Sequence, residues 1–379
     1  MKKVYVVSAL RTPVGILDGN LKSLSEQQLC AACMEKVFDN AGIGSYTADE
    51  IIIGCAKQTS VPSNLAKHAA LMTKIPETVP AYTVHRQSAS GLQAVANGFW
   101  LIKSGLANIA AAGGVESMSN IPREIHNARY EFNENTKIVF DPIAAQLEGA
   151  QPPETYGKLT GKIISQNISK LYGFDESELL DYALMSLEKA KARSSNDHIL
   201  PLEVKKGKKV ETVNADEFYE FPNTIAPVAD AAAVCLLADE ETVNKLKLPV
   251  LAEIVSVGFS AGDPGGKGLI GERAVALALK KAETDINRIG LIECNEMFAA
   301  QSLALKKELK KMGLLNSDKI FNSEGGALAT GSAWGACGAV MTVDLLNRMK
   351  SSDTAAGIVV TPAEGGQAMA AVFKKGSVK

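Results

Sequence analysis

The chain has 379 residues, with 40 basic and 42 acidic side chains and 46% hydrophobic residues. This length is sufficient for two or three packed units with sizeable cores. A net charge of −2 provides no broad basic field for nucleic acid, and no apolar stretch reaches the ~18 residues that span a bilayer. We therefore expect a cytoplasmic, enzyme-sized protein without a secretion signal, and neither a nucleic-acid nor a membrane role.

Predicted strands and helices alternate in both halves of the chain. The first half reads as strands at 4–7, 50–54, 81–84 and 109–114, separated by helices at 23–41, at 64–74 and from residue 91 onwards. The second half reads as helices at 272–282, 299–312 and 339–350, with strands at 289–293, 319–321 and 356–361. The sequence Ser23-Leu24-Ser25-Glu26 predicts a capping box for the first helix. This alternation predicts an α/β protein.

The two halves also end alike, which indicates an internal duplication. A glycine, a helix, a strand and a Gly-Gly pair follow one another at 91–114 and again at 335–366. A duplicated unit packed face to face with its copy explains this pattern. We predict an N-terminal half at 1–116 with a return segment at about 227–261, a C-terminal half at 262–379, and an inserted loop or cap domain at 117–226. The lysine cluster at 205–209 in this insertion is interpreted as a solvated turn.

The cysteines and histidines indicate no disulfide framework and no metal site. Six cysteines lie mostly in apolar segments, as expected for reduced core thiols. Cys30 and Cys33 have redox spacing but fall inside a predicted helix. None of the four histidines has the spacing of a metal ligand.

Ser88 lies where a predicted strand meets the helix that starts near Gly91. Free backbone N–H groups and the helix dipole at such a position favour negative charge, which can be a thiolate or an oxyanion. Ser88 or Ser90 could alternatively serve only as an N-cap. The G-x-S-x-G pattern of serine hydrolases is absent.

The segment around Ser88 resembles the nucleophile turn of thiolases, with serine in place of the family's cysteine. Further motifs that resemble this family follow in the family's order along essentially the whole chain: RTPVG at 11–15, AAGGVESMS at 111–119, NEMFAAQ at 295–301, Asn322 with GGA at 325–327, and GACGA at 335–339. The resemblance implies thiolase-like duplicated halves in a layered α-β-α-β-α core.

Thiolases make or cleave a carbon–carbon bond between acyl-CoA units through an acylated cysteine. Carried over by motif, the resemblance puts Ser88 at the nucleophile, Ser332 at the activating histidine, Pro362 at the second cysteine and Glu364 at the glycine two residues later. Asn295 is retained. The resemblance further implies CoA or acyl-CoA as ligand, with no permanently bound cofactor, and contacts from the following residues: Ala226 (in place of a serine), Phe298 and Gly365.

These replacements leave several functions open. The first is an acetyl-CoA acyltransferase-like enzyme of lipid metabolism with an impaired site, because losing general acid–base help alone costs roughly 10² to 10⁴ in rate. The second is a degenerate subunit that binds acyl-CoA or a partner protein. The third is an acyl-thioester hydrolase in which Glu364 or His85 activates Ser88. The resemblance implies a homodimer or homotetramer in each case.

Overall fold

In a computed structural model of the chain, residues 2–126, 139–146, 148–193, 197–284 and 286–376 are described. Parts of the predicted cap, at 127–138, 147 and 194–196, lie outside the described residues. Within the described ranges, no helix is both long enough and apolar enough to cross a membrane.

The strands belong mostly to one large mixed sheet, and the remainder form two small hairpin sheets. They are β1 (Val4–Arg11), β2 (Gly15–Ile16), β3 (Glu50–Gly54), β4 (Ala81–Val84), β5 (Ile109–Ser117), β6 (Glu124–Ile125), β7 (Val139–Phe140), β8 (Leu202–Lys206), β9 (Lys209–Val213), β10 (Ala229–Asp239), β11 (Ala252–Ala261), β12 (Ile289–Cys294), β13 (Ala356–Ala363) and β14 (Gln367–Lys375).

The α-helices cover both faces of the large sheet. They are α1 (Glu26–Ala41), α2 (Leu65–Leu71), α3 (Ser90–Lys103), α4 (Pro142–Gln146), α5 (Pro153–Tyr156), α6 (Gly161–Tyr172), α7 (Glu176–Lys191), α8 (Glu240–Leu246), α9 (Glu272–Ala282), α10 (Ala299–Lys311), α11 (Ala327–Thr330) and α12 (Cys337–Ser351).

Two sequence-based predictions about local structure are wrong. The capping box of α1 is formed by Ser25 and Gln28, whose backbone and side-chain groups hydrogen-bond each other, so Glu26 is free to turn its side chain inward. The strand predicted at 319–321 is a short 3-10 helix, and Phe321 makes a single bridge with Ile292. Asn322 has a φ of 40°, a left-handed conformation that interrupts a strand.

The sheet order repeats once. The first half has the order β4-β3-β5-β10-β1, and the second half has β12-β13-β14-β11, with the Phe321 bridge at the outer side of β12 in place of a fifth strand. In each half, the outermost strands pair in parallel, and the strands nearer the junction of the halves pair antiparallel. The halves join where β1 pairs with β11. Strand β11 is the last strand of the second repeat, as β1 is the last strand of the first. We therefore propose that the boundary between the two halves lies between β10 and β11 rather than at residue 262.

The core confirms the predicted α-β-α-β-α layers. Helices α1 and α2 pack on the outer face of the first half, and α9 and α10 pack on that of the second. Helices α3 and α12 share one apolar cluster with strands of both halves, and so form the middle layer. Strand β3 illustrates the alternation: Ile51 and Ile53 face α1, whereas Ile52 faces α3.

The middle layer depends on glycines at the contact of α3 with α12. A Cβ atom at Gly91 would lie 2.7 Å from the carbonyl oxygen of Gly335, and one at Gly338 would lie 2.6 Å from the Cβ atom of Leu92. At Gly114 of β5 the corresponding distance to the Gly335 oxygen is 2.4 Å. The two halves therefore meet backbone to backbone beside the Ser88 turn.

A buried ion network joins the cap to both halves. The Arg11 side chain is 1% exposed, and its guanidinium bonds Asp216 of the cap and Asp344 of α12. Arg193 also bonds Asp216, and His198 bonds Asp344. Because a buried charge without its partner is strongly destabilising, this network fixes the cap against the layered core.

Replacing Gly338 with alanine tests the close contact of α3 with α12. Alanine in a helix ordinarily stabilises by up to about 1 kcal/mol over glycine, but the clash with Leu92 should reverse the sign and lower the free energy of unfolding by about 1 to 3 kcal/mol. Urea unfolding followed by circular dichroism measures the change. Gly149→Ala is the matched control, because no atom lies within 4 Å of its added Cβ. Equal stability of the two variants would contradict the contact.

Candidate active site

The Ser88 turn is held by its own backbone and by Ser90. Gln87 has a φ of 48°, an uncommon conformation for a residue other than glycine. The Ser90 hydroxyl donates to the carbonyl of Gln87 at 2.6 Å and accepts from the N–H of Arg86 at 2.8 Å. Ser90 thus stabilises the turn, which frees the Ser88 side chain to point elsewhere.

The Ser88 hydroxyl contacts the carboxylate of Glu364. Ser88 is 1% exposed, and its Oγ lies 3.0 Å from each carboxylate oxygen of Glu364. The backbone N–H of Ser88 donates to Oε2 at 3.3 Å. His85, the other residue considered as an activator of Ser88, is exposed. Of the two residues considered as activators, Glu364 is therefore the one placed to act on the Ser88 hydroxyl.

Opposing effects act on the pKa of Glu364. Burial raises this pKa above its ordinary value, and it stays raised although the N–H groups of Glu364 itself and of Ser88 and the Ser88 hydroxyl all donate to the carboxylate. A carboxylate that receives several hydrogen bonds is stabilised in its charged form. The net shift upward reflects how completely the surrounding protein excludes water.

Five of the predicted site residues line one cavity of about 40 Å³. Its walls come from the Ser88 turn, from the segment around residue 225, from the loop before α10, and from the segments after α11 and β13. The lining residues are Ser88, Ile225, Ala226, Met297, Phe298, Ser332, Trp334 and Glu364. The cavity therefore brings segments from both halves of the chain together at Ser88.

Asn295 and Gly365 do not line this cavity. Asn295 lines a second cavity of similar volume with Glu293 and Asp344. Its side-chain Nδ2 is buried and has no hydrogen-bond partner among the described residues. Gly365 lies in the turn between β13 and β14 with a φ of 80°. The functional roles predicted for these two residues stay predictions.

Ser332 and Phe298 are positioned by strand-like contacts with the segment at 225–229. Ser332 donates its N–H to the carbonyl of Pro227 at 2.7 Å, and Ile225 forms a bridge with Phe298. The Ser332 Oγ lies 3.1 Å from the Sγ of Cys337, whose pKa is raised by burial to about 12. That thiol is therefore protonated at neutral pH and is a poor nucleophile.

The structural role of Glu296, beside Asn295, was not predicted from the sequence. Its carboxylate accepts hydrogen bonds from the Tyr182 hydroxyl, from Ser186 and from Asn322, and thus anchors α7 of the cap to the site. Trp334, which lines the cavity, was also missed. No spacing pattern in the sequence relates these residues, because their partners come from distant segments.

A buried carboxylate cluster lies outside this cavity, at Glu26, Cys55 and Glu116. Glu116 accepts hydrogen bonds from the N–H groups of Ala56, Lys57 and Gly335 at 2.8 to 3.1 Å, and from the Cys55 thiol. Because these donors already use the lone pairs of its carboxylate, Glu116 acts as a clamp between the loop after β3 and the segment before α12.

The comparisons with known proteins cover the whole chain. Family models described as "Thiolase, N-terminal domain" and "Thiolase, C-terminal domain" match residues 4–238 and 248–375. A "Probable acetyl-CoA acyltransferase" of Staphylococcus aureus (strain COL) is 30% identical over 401 aligned positions, which cover 99% of this chain and 100% of the relative.

Solved structures also match this chain along nearly its whole length. The crystal structures of human mitochondrial 3-ketoacyl-CoA thiolase and of the Bacillus anthracis acetyl-CoA acetyltransferase each superpose with a TM-score of 0.91 at 27% identity, covering 99% of both chains. The human enzyme in complex with CoA gives a TM-score of 0.90, also at 27% identity, covering 99% of this chain and 98% of that one.

Glu26→Gln should change how stability depends on pH. Burial, and repulsion from Glu116 and Asp230, raise the pKa of Glu26 from 4.5 to about 8, so the folded state holds a proton that the unfolded chain releases. The resulting stabilisation is complete below about pH 4.5 and is lost as the pH rises through 8. Glutamine does not ionise. Relative to the native protein, the variant should therefore gain about 1 kcal/mol or more between pH 6 and pH 9, since one pKa unit is 1.36 kcal/mol.

Urea unfolding at the two pH values measures this gain. The exposed Glu188→Gln is the control and should leave the pH dependence unchanged. Parallel behaviour of Glu26→Gln and the native protein would show that Glu26 is ionised in the fold.

Proposed function

The chain belongs to the thiolase family and is acetyl-CoA acyltransferase-like; from this premise we propose that the cavity around Ser88 binds CoA-type ligands but sustains little carbon–carbon bond chemistry. The observation that carries this proposal is the pairing of Ser88 with Glu364. In an active thiolase-type site the nucleophile must be free to attack a thioester. Here its hydroxyl is engaged by a buried carboxylate.

The groups that thiolase chemistry requires are missing from the cavity. Its lining residues, all of which the structure describes, include neither cysteine nor histidine. A serine hydroxyl needs an adjacent base to become nucleophilic, whereas a thiol is partly ionised at neutral pH. Pro362, at the position of the second catalytic cysteine, has no side chain that could accept a proton. Loss of such groups is not additive, because they act as a unit.

CoA-type ligand binding is supported by the walls of the cavity and by its relatives. Phe298, Met297 and Ile225 give it a largely apolar side, as is usual for small-molecule sites. A solved neighbour at 27% identity is described in complex with CoA. We propose that Ala226 and Phe298 face the pantetheine arm of the ligand. Assembly as a homodimer or homotetramer, a cytoplasmic location and a role in lipid metabolism stay predictions.

The contact of Ser88 with Glu364 also favours a second candidate function, acyl-thioester hydrolysis. In this reaction the Ser88 Oγ attacks the thioester carbonyl while its proton passes to Glu364. The carbon–sulfur bond breaks and CoA leaves with that proton. Water, deprotonated by Glu364, then cleaves the serine ester to release the acid and restore Ser88. A raised pKa makes a carboxylate a better general base at neutral pH.

Incubation with acetyl-CoA distinguishes the two candidates. The protein is analysed by intact mass and peptide mapping, and free CoA is measured with a thiol reagent. Unmodified Ser88 and no release of CoA would support the binding function. A transient acetyl group on Ser88 with steady release of CoA and acetate, both lost in Ser88→Ala, would establish hydrolysis instead.

Restoring the family's residues should recover thiolase activity only when they are restored together. We expect little cleavage of acetoacetyl-CoA by CoA for the native protein and for Ser88→Cys. More is expected for the combined variant Ser88→Cys, Ser332→His, Pro362→Cys and Glu364→Gly, because these residues act as a unit. Native turnover within the ordinary range of roughly 1 to 10³ per second would refute an impaired site. An inactive combined variant that also fails to bind CoA would place the defect in ligand recognition.

A further inference from the structure

The carboxylate of Glu364 is held like a bound anion. Two donors of Ser88 converge on it: the backbone N–H, 3.3 Å from Oε2, and the hydroxyl, 3.0 Å from each carboxylate oxygen. Ser88 comes just before α3, where backbone N–H groups and the helix dipole favour negative charge. A backbone N–H and a hydroxyl that point at one position can form an oxyanion-binding site.

The occupant of this oxyanion-binding site is part of the protein. Glu364 is 4% exposed, and its carboxylate takes the position at which the Ser88 N–H and hydroxyl point. A cavity of about 40 Å³ remains beside the carboxylate and is lined by Ser88, Phe298 and Ser332 among other residues. An acyl oxygen can therefore reach the Ser88 N–H only if this carboxylate is displaced from it.

We propose that Glu364 occupies the position of a ligand's acyl oxygen, so that the protein selects free CoA over acyl-CoA. This inference rests on the proposed CoA-type ligand binding and names the ligand form that the site accepts. The basis for this proposal is that the Glu364 carboxylate already accepts the Ser88 N–H, which an acyl oxygen would need as its donor.

Chemical complementarity favours the free thiol. The carbonyl oxygen of a thioester is an acceptor and carries partial negative charge, so it finds no donor beside a carboxylate and is repelled by it. A free thiol with a pKa near 8.5 is protonated at pH 7, and its S–H is a weak donor that a carboxylate can accept. An acceptor left unpaired in a buried site weakens binding, so the free thiol is favoured over the thioester.

The test compares two ligands by isothermal titration calorimetry at pH 7: CoA, and an acetyl-CoA analogue in which a methylene group replaces the thioester sulfur and prevents hydrolysis. The native protein should bind CoA about tenfold or more tightly than the analogue, as expected for one unfavourable polar contact. Glu364→Gly should bind the analogue at least as tightly as CoA, because the Ser88 N–H and the space of the removed side chain become available. Glu77→Gly, at an exposed position, is the control and should retain the native preference.

The possible results distinguish a failure of the selection by Glu364 from a failure of CoA binding. Equal affinities of the native protein for both ligands, or an unchanged preference in folded Glu364→Gly, would overturn the selection by Glu364 and leave CoA binding intact. No binding of either ligand by the native protein and by Glu364→Gly would overturn the proposed function and this inference with it. If Glu364→Gly fails to fold, Glu364→Ala is measured in its place, with the same expectation.

Discussion

Backbone contact between α3 and α12 is the constraint on which the rest of the structure depends. Both helices lie in the middle layer, and the glycines between them bring their backbones closer than any side chain allows. Because α3 follows the Ser88 turn and α12 follows the segment of Ser332, the contact that joins the two halves also sets the distance between these two segments. Volume added at this contact therefore disturbs both the packing of the core and the geometry of the site.

Buried polar groups also hold separate segments of the chain together. Glu116 ties the loop after β3 to Gly335, Glu296 ties the cap to the site, and Arg11 ties the cap to β1 and α12. Each of them joins segments that are far apart in the chain. Such groups need every hydrogen bond satisfied, since an unpaired buried charge is costly. They therefore specify one arrangement of the cap and the layers.

Glu364 follows the same physical rule with a different result. Its carboxylate is buried and accepts hydrogen bonds, as that of Glu116 does, but its donors belong to Ser88, which lines the cavity. Glu364 in the turn after β13 and Ser88 before α3 thus form a buried polar pair. This pair leaves neither the N–H nor the hydroxyl of Ser88 unpaired.

The sequence alone determined the α/β class, the layered duplication, most helices and the motifs that carry the family, because hydrophobic periodicity and short motifs are local signals. It did not reveal β10, β11 or β14. Strand β10 is buried along its full length, and such a strand shows no alternation of polar and apolar residues. The sequence also identified Ser88 and Glu364 by motif position, but their hydrogen bond arises only because the turn after β13 meets the start of α3. Contacts between residues 276 positions apart depend on the packing of whole layers, which only the tertiary structure decides.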